Sequence, residues 1–106
     1  MEYSLFTKLA AEEINYLYDL LENSDFDGDF DLISDILYIY TDQGDYVINQ
    51  HSPTQQIWLS SPVSNAGYFN YVSETKEWLD KNKNSLRARL ILDLGIIAFS
   101  ELKFTD

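Results

Sequence analysis

With 106 residues, 45% of them hydrophobic, no cysteine and a formal net charge of −11, the chain has the composition of an ordinary globular protein with room for one core. These figures exclude a disordered acidic tail, internal disulfides, thiolate metal sites and a cysteine nucleophile. No apolar run reaches the length of a membrane-spanning helix, and the Met1-Glu2 start has no basic n-region, so neither a membrane span nor a signal or transit peptide is expected.

Residues 5–22 read as a helix, because Phe6, Leu9, Ala10, Ile14, Leu17 and Leu21 recur at the three-and-four spacing of one apolar face. Ser4 is a weak cap at its start and Asn23-Ser24 a weak cap at its end. Glu12, Asp19 and Glu22 fall mostly off the apolar stripe, and Glu13 lies closer to it. Asp25 to Ile33 (DFDGDFDLI) alternates strictly, which predicts a strand with Asp25, Asp27, Asp29 and Asp31 on one side and Phe26, Gly28, Phe30 and Leu32 on the other. A turn at Ser34-Asp35 leads to a strand over Ile36–Thr41, a hairpin turn over residues 42–45 and a third strand over Tyr46–Asn49.

Gln55 to Ser61 has the β-branched and aromatic content of a fourth strand, entered through Ser52-Pro53 and stopped by Pro62. Alternation turns Ile57 and Leu59 toward a core and Gln56, Trp58 and Ser60 away from it. That leaves two places for Trp58: on an open sheet face among polar neighbours, or buried under a second layer. After a loop over residues 62–67, Tyr68–Val72 and Lys76–Leu79 make a further pair of short strands, and residues 80–84 a polar turn of basic character. Ser85 caps a closing helix whose stripe is Leu86, Leu90, Leu94 and Ile97, widened by Ile91 and Phe99. Gly95 then falls inside this helix, at a cost of about 1 kcal/mol relative to alanine. Close packing on the first helix and a tolerated weakness are both explanations. The tail over residues 101–106 is expected to pack late or fray. A helix, hairpin-linked strands and a second helix predict one domain over residues 1–106. Its class is α+β, a two-layer αβ sandwich with both helices on one face of an antiparallel sheet and the other face in water.

The charge is unevenly placed. Residues 1–45 hold 12 of the 18 acids against Lys8 alone, while residues 46–106 hold six acids and six bases. Phosphate is repelled by such a surface, so nucleic acid is excluded as a partner, and a cation or a basic protein is the natural counterpart. The Asp25–Asp31 run does not make an EF-hand: with Asn23 at the first loop position, Ser34 stands where a bidentate Glu is needed. Two readings of these carboxylates remain. One is a charged edge strand that resists edge-to-edge aggregation. The other is a shallow array of hard oxygen ligands suited to Fe²⁺, Mn²⁺, Ca²⁺ or Mg²⁺. His51, the single histidine, reads as a solvated loop residue, and no serine has the His–Asp arrangement that would activate it. Tyr38, Tyr40, Gln56, Trp58 and Tyr71 are candidates for an aromatic patch on the open face.

The residues Asn49, Pro53, Gln56, Ile57, Trp58, Leu59, Ser60, Ser61 and Pro62, in the pattern NxxxPxxQIWLSSP, resemble the signature strand of the frataxin family, and the similarity runs over nearly the whole chain. The resemblance implies an iron-binding accessory or regulator of iron–sulfur cluster assembly, with no catalytic residues of its own. Asp19, Glu22, Asp25, Asp27, Asp29 and Asp31 match the family's acidic ridge, where iron (Fe²⁺/Fe³⁺) is expected to bind weakly at the surface. Asn49, Gln56 and Trp58, together with Asp19 and Glu22, match positions that meet partners, expected to be a cysteine desulfurase and an iron–sulfur scaffold protein. The alternatives are a ferroxidase or iron store at the same carboxylates, or a metal-independent acidic adaptor for a basic protein. A monomer is expected, with iron-dependent oligomerisation as the variant, and the bacterial cytoplasm rather than the mitochondrial matrix. One departure is visible: Asn65, Ala66, Gly67 and Tyr68 stand where some members carry basic residues, which puts contacts through that loop in doubt.

Overall fold

Six strands carry one helix at each end, and the computed structural model describes residues 1–97 of this arrangement. Helix α1 (Tyr3–Glu22) leads into β1 (Asp29–Ile33), β2 (Ile36–Thr41), β3 (Gly44–His51), β4 (Gln56–Ser60), β5 (Gly67–Val72) and β6 (Glu77–Leu79); α2 (Leu86–Leu94) closes the described chain. A short 3-10 turn at Ser52–Thr54 joins β3 to β4. The strands pair in sequence order, all antiparallel. No helix among the described residues is long and apolar enough to cross a membrane.

The core follows from the two periodicities. Phe6, Ala10, Ile14, Leu17, Leu20 and Leu21 of α1 are buried against the inward rows of the sheet, which are Leu37 and Ile39, Tyr46 and Ile48, Ile57 and Leu59, then Phe69 and Trp78. Each Leu, Ile and Phe among them contributes about 1.5–3 kcal/mol by leaving water. A slip of β4 by one residue would exchange Ile57 and Leu59 for Trp58 and Ser60, so the buried face fixes the register. Ser34 and Asp35 both take positive φ, 52° and 63°, as a two-residue hairpin turn requires. Glu13 is buried, with 6% of its surface accessible, and receives both Nε and Nη2 of Arg87 from α2 at 2.9 Å. The same guanidinium lies 3.6 Å over the Tyr16 ring. This fork ties the two helices together, and it explains an acid on the edge of the apolar stripe.

Five expectations need correction. The strand predicted from Asp25 begins only at Asp29, because Asp25 bonds across the molecule: its N–H reaches the Ile97 carbonyl at 3.1 Å, and its Oδ1 accepts the Ile97 N–H at 2.6 Å. Ser4 is not the cap of α1. The helix starts at Tyr3, and the Ser4 hydroxyl bonds the Glu2 carboxylate. Gly95 is not mid-helix: α2 is capped by Ser85, whose Oγ accepts the Ala88 N–H at 3.0 Å, and ends at Leu94, with Gly95 in the left-handed region at φ +62°. A Cβ at Gly95 would meet nothing within 4 Å, so close packing is not its reason. Tyr71 belongs to the covered side of the sheet, where it packs on Trp78 at 5.4 Å, because it shares parity with buried Phe69. Ile97 lies beyond α2 and is exposed; Phe99 and the tail over residues 101–106 lie outside the described residues.

The position of Gly95 sets the sign of one substitution. Gly95→Ala inside a helix would gain up to about 1 kcal/mol, whereas at a left-handed cap it is strained and costs about that much. Thermal unfolding should therefore show the midpoint falling by a few degrees, roughly 4–8 °C per kcal/mol for a domain near this size.

Candidate functional site

Two features stand out on the uncovered surface: an acidic corner where α1 ends beside β1, and an aromatic cluster on the open sheet face. The corner is built on Tyr18. Its ring packs edge-on against Phe30 of β1, 5.2 Å between centroids, and so anchors the last turn of α1 to the edge strand. The carboxylate of Glu22 beside the hydroxyl, followed by burial and by the charges of Asp31 and Asp19, raises the Tyr18 phenol above its ordinary value of 10.0. Three of the six predicted acids therefore act on a single hydroxyl. Asn23 and Ser24 end the helix by bonding the Asp19 and Leu21 carbonyls, at 2.9 and 2.8 Å.

The six acids do not form one array. Asp29 and Asp31 stand on the open face opposite Tyr40 and Tyr38, and the Tyr40 hydroxyl reaches Asp31 Oδ2 at 3.4 Å. Burial first, then Asp31 and Asp45, raise the Tyr40 phenol as well. Asp25 and Asp27 lie in the connection before β1 and line a separate depression of about 370 Å³ with Asp42 and Asp93. Among the described residues, no three acids or histidines converge in a geometry that could hold a metal ion. The corner offers hard oxygen donors and a strong negative field, suited to a hydrated cation, without a chelating cage.

On the open face, Trp58 is partly buried and held on three sides. Its Nε1–H donates to Gln56 Oε1 at 2.9 Å, the His51 ring stacks on it at 3.6 Å and 13°, and Tyr68 meets it edge-on at 5.3 Å. Asn49 stands opposite on β3. Asn49, Gln56 and Trp58 are thus together, on the face expected of them. Tyr38 and Tyr40 share that face but sit across β3, beside the acids. His51 and Tyr68 were missed. The signal for His51 was the alternation of Val47, Asn49 and His51 against Tyr46 and Ile48, hidden by ending the third strand at Asn49. For Tyr68 it was its parity with Asn70 against Phe69.

These two features occur in a chain with definite relatives. The frataxin-like domain family matches residues 1–97. The mitochondrial frataxin of Arabidopsis thaliana is 33% identical over 92 residues, which cover 81% of this chain and 49% of that protein, so the chain spans about half the length of this relative. Among solved structures, trimeric frataxin from Saccharomyces cerevisiae, determined as a ferrous complex, superposes with a TM-score of 0.70 at 28% identity over 82% of each chain. Frataxin from Psychromonas ingrahamii shares the fold, with a TM-score of 0.77 at 23% identity over 88% of each chain.

Two measurements check this geometry. Asp31 raises both phenols, so Asp31→Asn should lower the apparent pKa of Tyr18 and of Tyr40 in an ultraviolet titration, while leaving Tyr46, whose shift comes mainly from burial, in place. A raised phenol pKa favours the folded state below the ordinary tyrosine value, and this contribution is lost as pH rises through the folded value. Truncating Trp58 should cost about 1–2 kcal/mol, the scale of one hydrogen bond and a partial ring contact. Trp78→Ala, in the core, should cost about 3–5. Urea unfolding of the two variants side by side decides it.

Proposed function

Because the chain belongs to the frataxin family, we propose that it is an iron-binding accessory of iron–sulfur cluster assembly, docking on a cysteine desulfurase and its scaffold protein, and not itself an enzyme. The observation that carries this reading is that Asp19, Glu22 and Asp31 all raise the phenol of Tyr18, which packs on the edge strand of a sheet whose open face also carries Trp58. Fe²⁺ is the cargo. Residues two apart on a strand, such as Asp29 and Asp31, are separated by roughly 6.6 Å, twice the ~3.3 Å rise. Bonds from hard cations to oxygen are only about 2.0–2.6 Å. The ion therefore keeps most of its water and exchanges rapidly, held by the summed field of Asp19, Glu22, Asp29 and Asp31. Asp25 and Asp27, in their own depression, form a second and independent place for it.

A ferroxidase needs carboxylates that converge on the reacting ions, whereas a cargo ion needs only the summed field of carboxylates spread over a surface. Docking follows from the same charge. Acids on α1 and β1 meet a basic surface of the desulfurase, steering encounter and fixing orientation, while Trp58 with Asn49 and Gln56 supplies the contact that excludes water.

Anaerobic calorimetry with Fe²⁺, and with Ca²⁺ and Mn²⁺ for comparison, tests the metal half. Several weak sites with little discrimination are expected; Asp31→Asn weakens them modestly, and only combined neutralisation of Asp19, Glu22, Asp29 and Asp31 abolishes those of the corner. One tight Fe²⁺-selective site would sink it. For the docking half, affinity for purified desulfurase should fall steeply with salt, since exposed charges are screened beyond roughly 8 Å at physiological ionic strength. It should nearly vanish in the double variant Asp19→Lys, Glu22→Lys, whereas an affinity indifferent to salt would argue against it.

A further inference from the structure

The connection between α1 and β1 joins two residues whose covalent chemistry is independent of metal. The chain has four glycines, preceded by Asp27, Gln43, Ala66 and Leu94, so Asp27-Gly28 is the single place where an aspartate or asparagine precedes glycine. Asp27 is exposed, Gly28 is half-buried, and neither belongs to a helix or a strand. The segment is fixed at both ends. Asp25 is bonded to Ile97 through its N–H at 3.1 Å and its Oδ1 at 2.6 Å, and the ladder of β1 starts with Asp29 opposite Tyr40. Between these anchors the Phe26 N–H bonds Ser24 Oγ at 3.1 Å, and the Phe26 ring packs on Phe30 at 6.0 Å.

Among the described residues, no hydrogen bond or ion pair holds the Asp27 carboxylate or the Gly28 N–H. The fold also asks for glycine at position 28, since a Cβ there would lie 2.6 Å from Phe26 Cζ and 3.0 Å from the Tyr40 carbonyl oxygen. It therefore keeps beside Asp27 the one residue that sets no side chain next to an attacking amide nitrogen. The Asn23-Ser24 pair at the end of α1 is tied down by contrast. The Ser24 N–H bonds the Leu21 carbonyl at 3.3 Å, and Asn23 Nδ2 donates to the Asp19 carbonyl at 2.9 Å.

We propose that Asp27-Gly28 is a site of spontaneous covalent modification, at which the main chain cyclises and reopens as an isoaspartyl linkage. Rotation about the Asp27 Cα–Cβ bond brings Cγ against the Gly28 nitrogen, because neither group is engaged elsewhere. The nitrogen attacks Cγ: an N–Cγ bond forms, one Cγ–O bond breaks, and that oxygen leaves as water with the amide proton and a proton from solvent. The product is a five-membered imide. Water then adds to one of its two carbonyls and cleaves the C–N bond there. Cleavage at Cγ restores aspartate. Cleavage at the main-chain carbonyl leaves Gly28 joined through Cβ and Cγ, with the free carboxylate on Cα. The charge is unchanged, but the main chain between the Asp25 and Asp29 anchors is one atom longer. That slack falls on the Phe26–Phe30 contact, and it draws the carboxylate of residue 27 back from the depression shared with Asp25, Asp42 and Asp93. The reaction needs neither iron nor a partner protein, so its absence would leave the calorimetric test for iron untouched.

The test is ageing of the full chain at neutral pH and physiological temperature in iron-free buffer. Peptide mapping locates the products, and methyl transfer from S-adenosylmethionine by an isoaspartyl methyltransferase detects the isoaspartyl form. The fragment holding residue 27 should appear in two new forms, one lighter by a water and one of unchanged mass that accepts methyl. A blocked synthetic peptide of residues 24–30 gives the rate of the unrestrained sequence. The folded chain should convert within about tenfold of that rate, a barrier difference of no more than ~1.4 kcal/mol. Asp27→Glu keeps the charge but requires a six-membered ring, and both forms should be lost from this fragment. No methyl-accepting form at residue 27, conversion more than about tenfold slower than the peptide, or undiminished formation in Asp27→Glu would each overturn the proposal.

Discussion

One-sided burial is the constraint on which the rest of this molecule depends. Both helices lie on the same face of the sheet, so the inward rows of β2, β3 and β4 carry Leu37, Ile39, Tyr46, Ile48, Ile57 and Leu59, and every residue between them is turned to water. A large aromatic on the outward row has no second layer to bury it. Trp58 is steadied instead by its own neighbours: a hydrogen bond donated to Gln56, a stacked His51 and an edge-on Tyr68. These contacts order the ring without covering it, and an ordered, partly exposed ring loses little entropy on meeting a partner.

Electrostatics is divided along the same lines. Where charge is buried it is paired: Glu13 receives the forked guanidinium of Arg87 and so costs little by lying between the helices. Where charge is exposed it accumulates. Asp19, Glu22 and Asp31 all raise the phenol of Tyr18, which packs on Phe30, and their summed negative field is one that a cation or a basic partner can neutralise. A surface of this kind binds by field more than by geometry. Such a surface suits the proposed handling of a cargo ion, since a closed cage would hold it too long.

The far end of the sheet obeys the opposite rule. Gly67 has no side chain, the Arg89 guanidinium lies beside it, and Ser64, Asn65 and Asp93 bond to that guanidinium, so side chains tie a loop without regular structure to α2. Asp80 does the same for the neighbouring turn.

The sequence by itself determined the elements that period-two and period-3.6 patterns specify: α1, the strands β2 and β4 nearly to the residue, the direction of Trp58, and the two-layer architecture. It also located the charge. Its errors share one cause. Alternation in DFDGDFDLI promised a strand from Asp25, but a bond to Ile97, 72 residues away, takes Asp25 out of the ladder. Gly95 looked helical by spacing and proved to be the cap, because the apolar stripe cannot report where φ turns positive. Glu13 was legible as an acid near the stripe, not as the partner of Arg87. His51 and Tyr68 became site residues only when strands and loops distant in sequence were set side by side. Local pattern fixes which way a side chain points, because sterics and period act over a few residues. What it meets there depends on long-range pairings, and those only the tertiary structure decided.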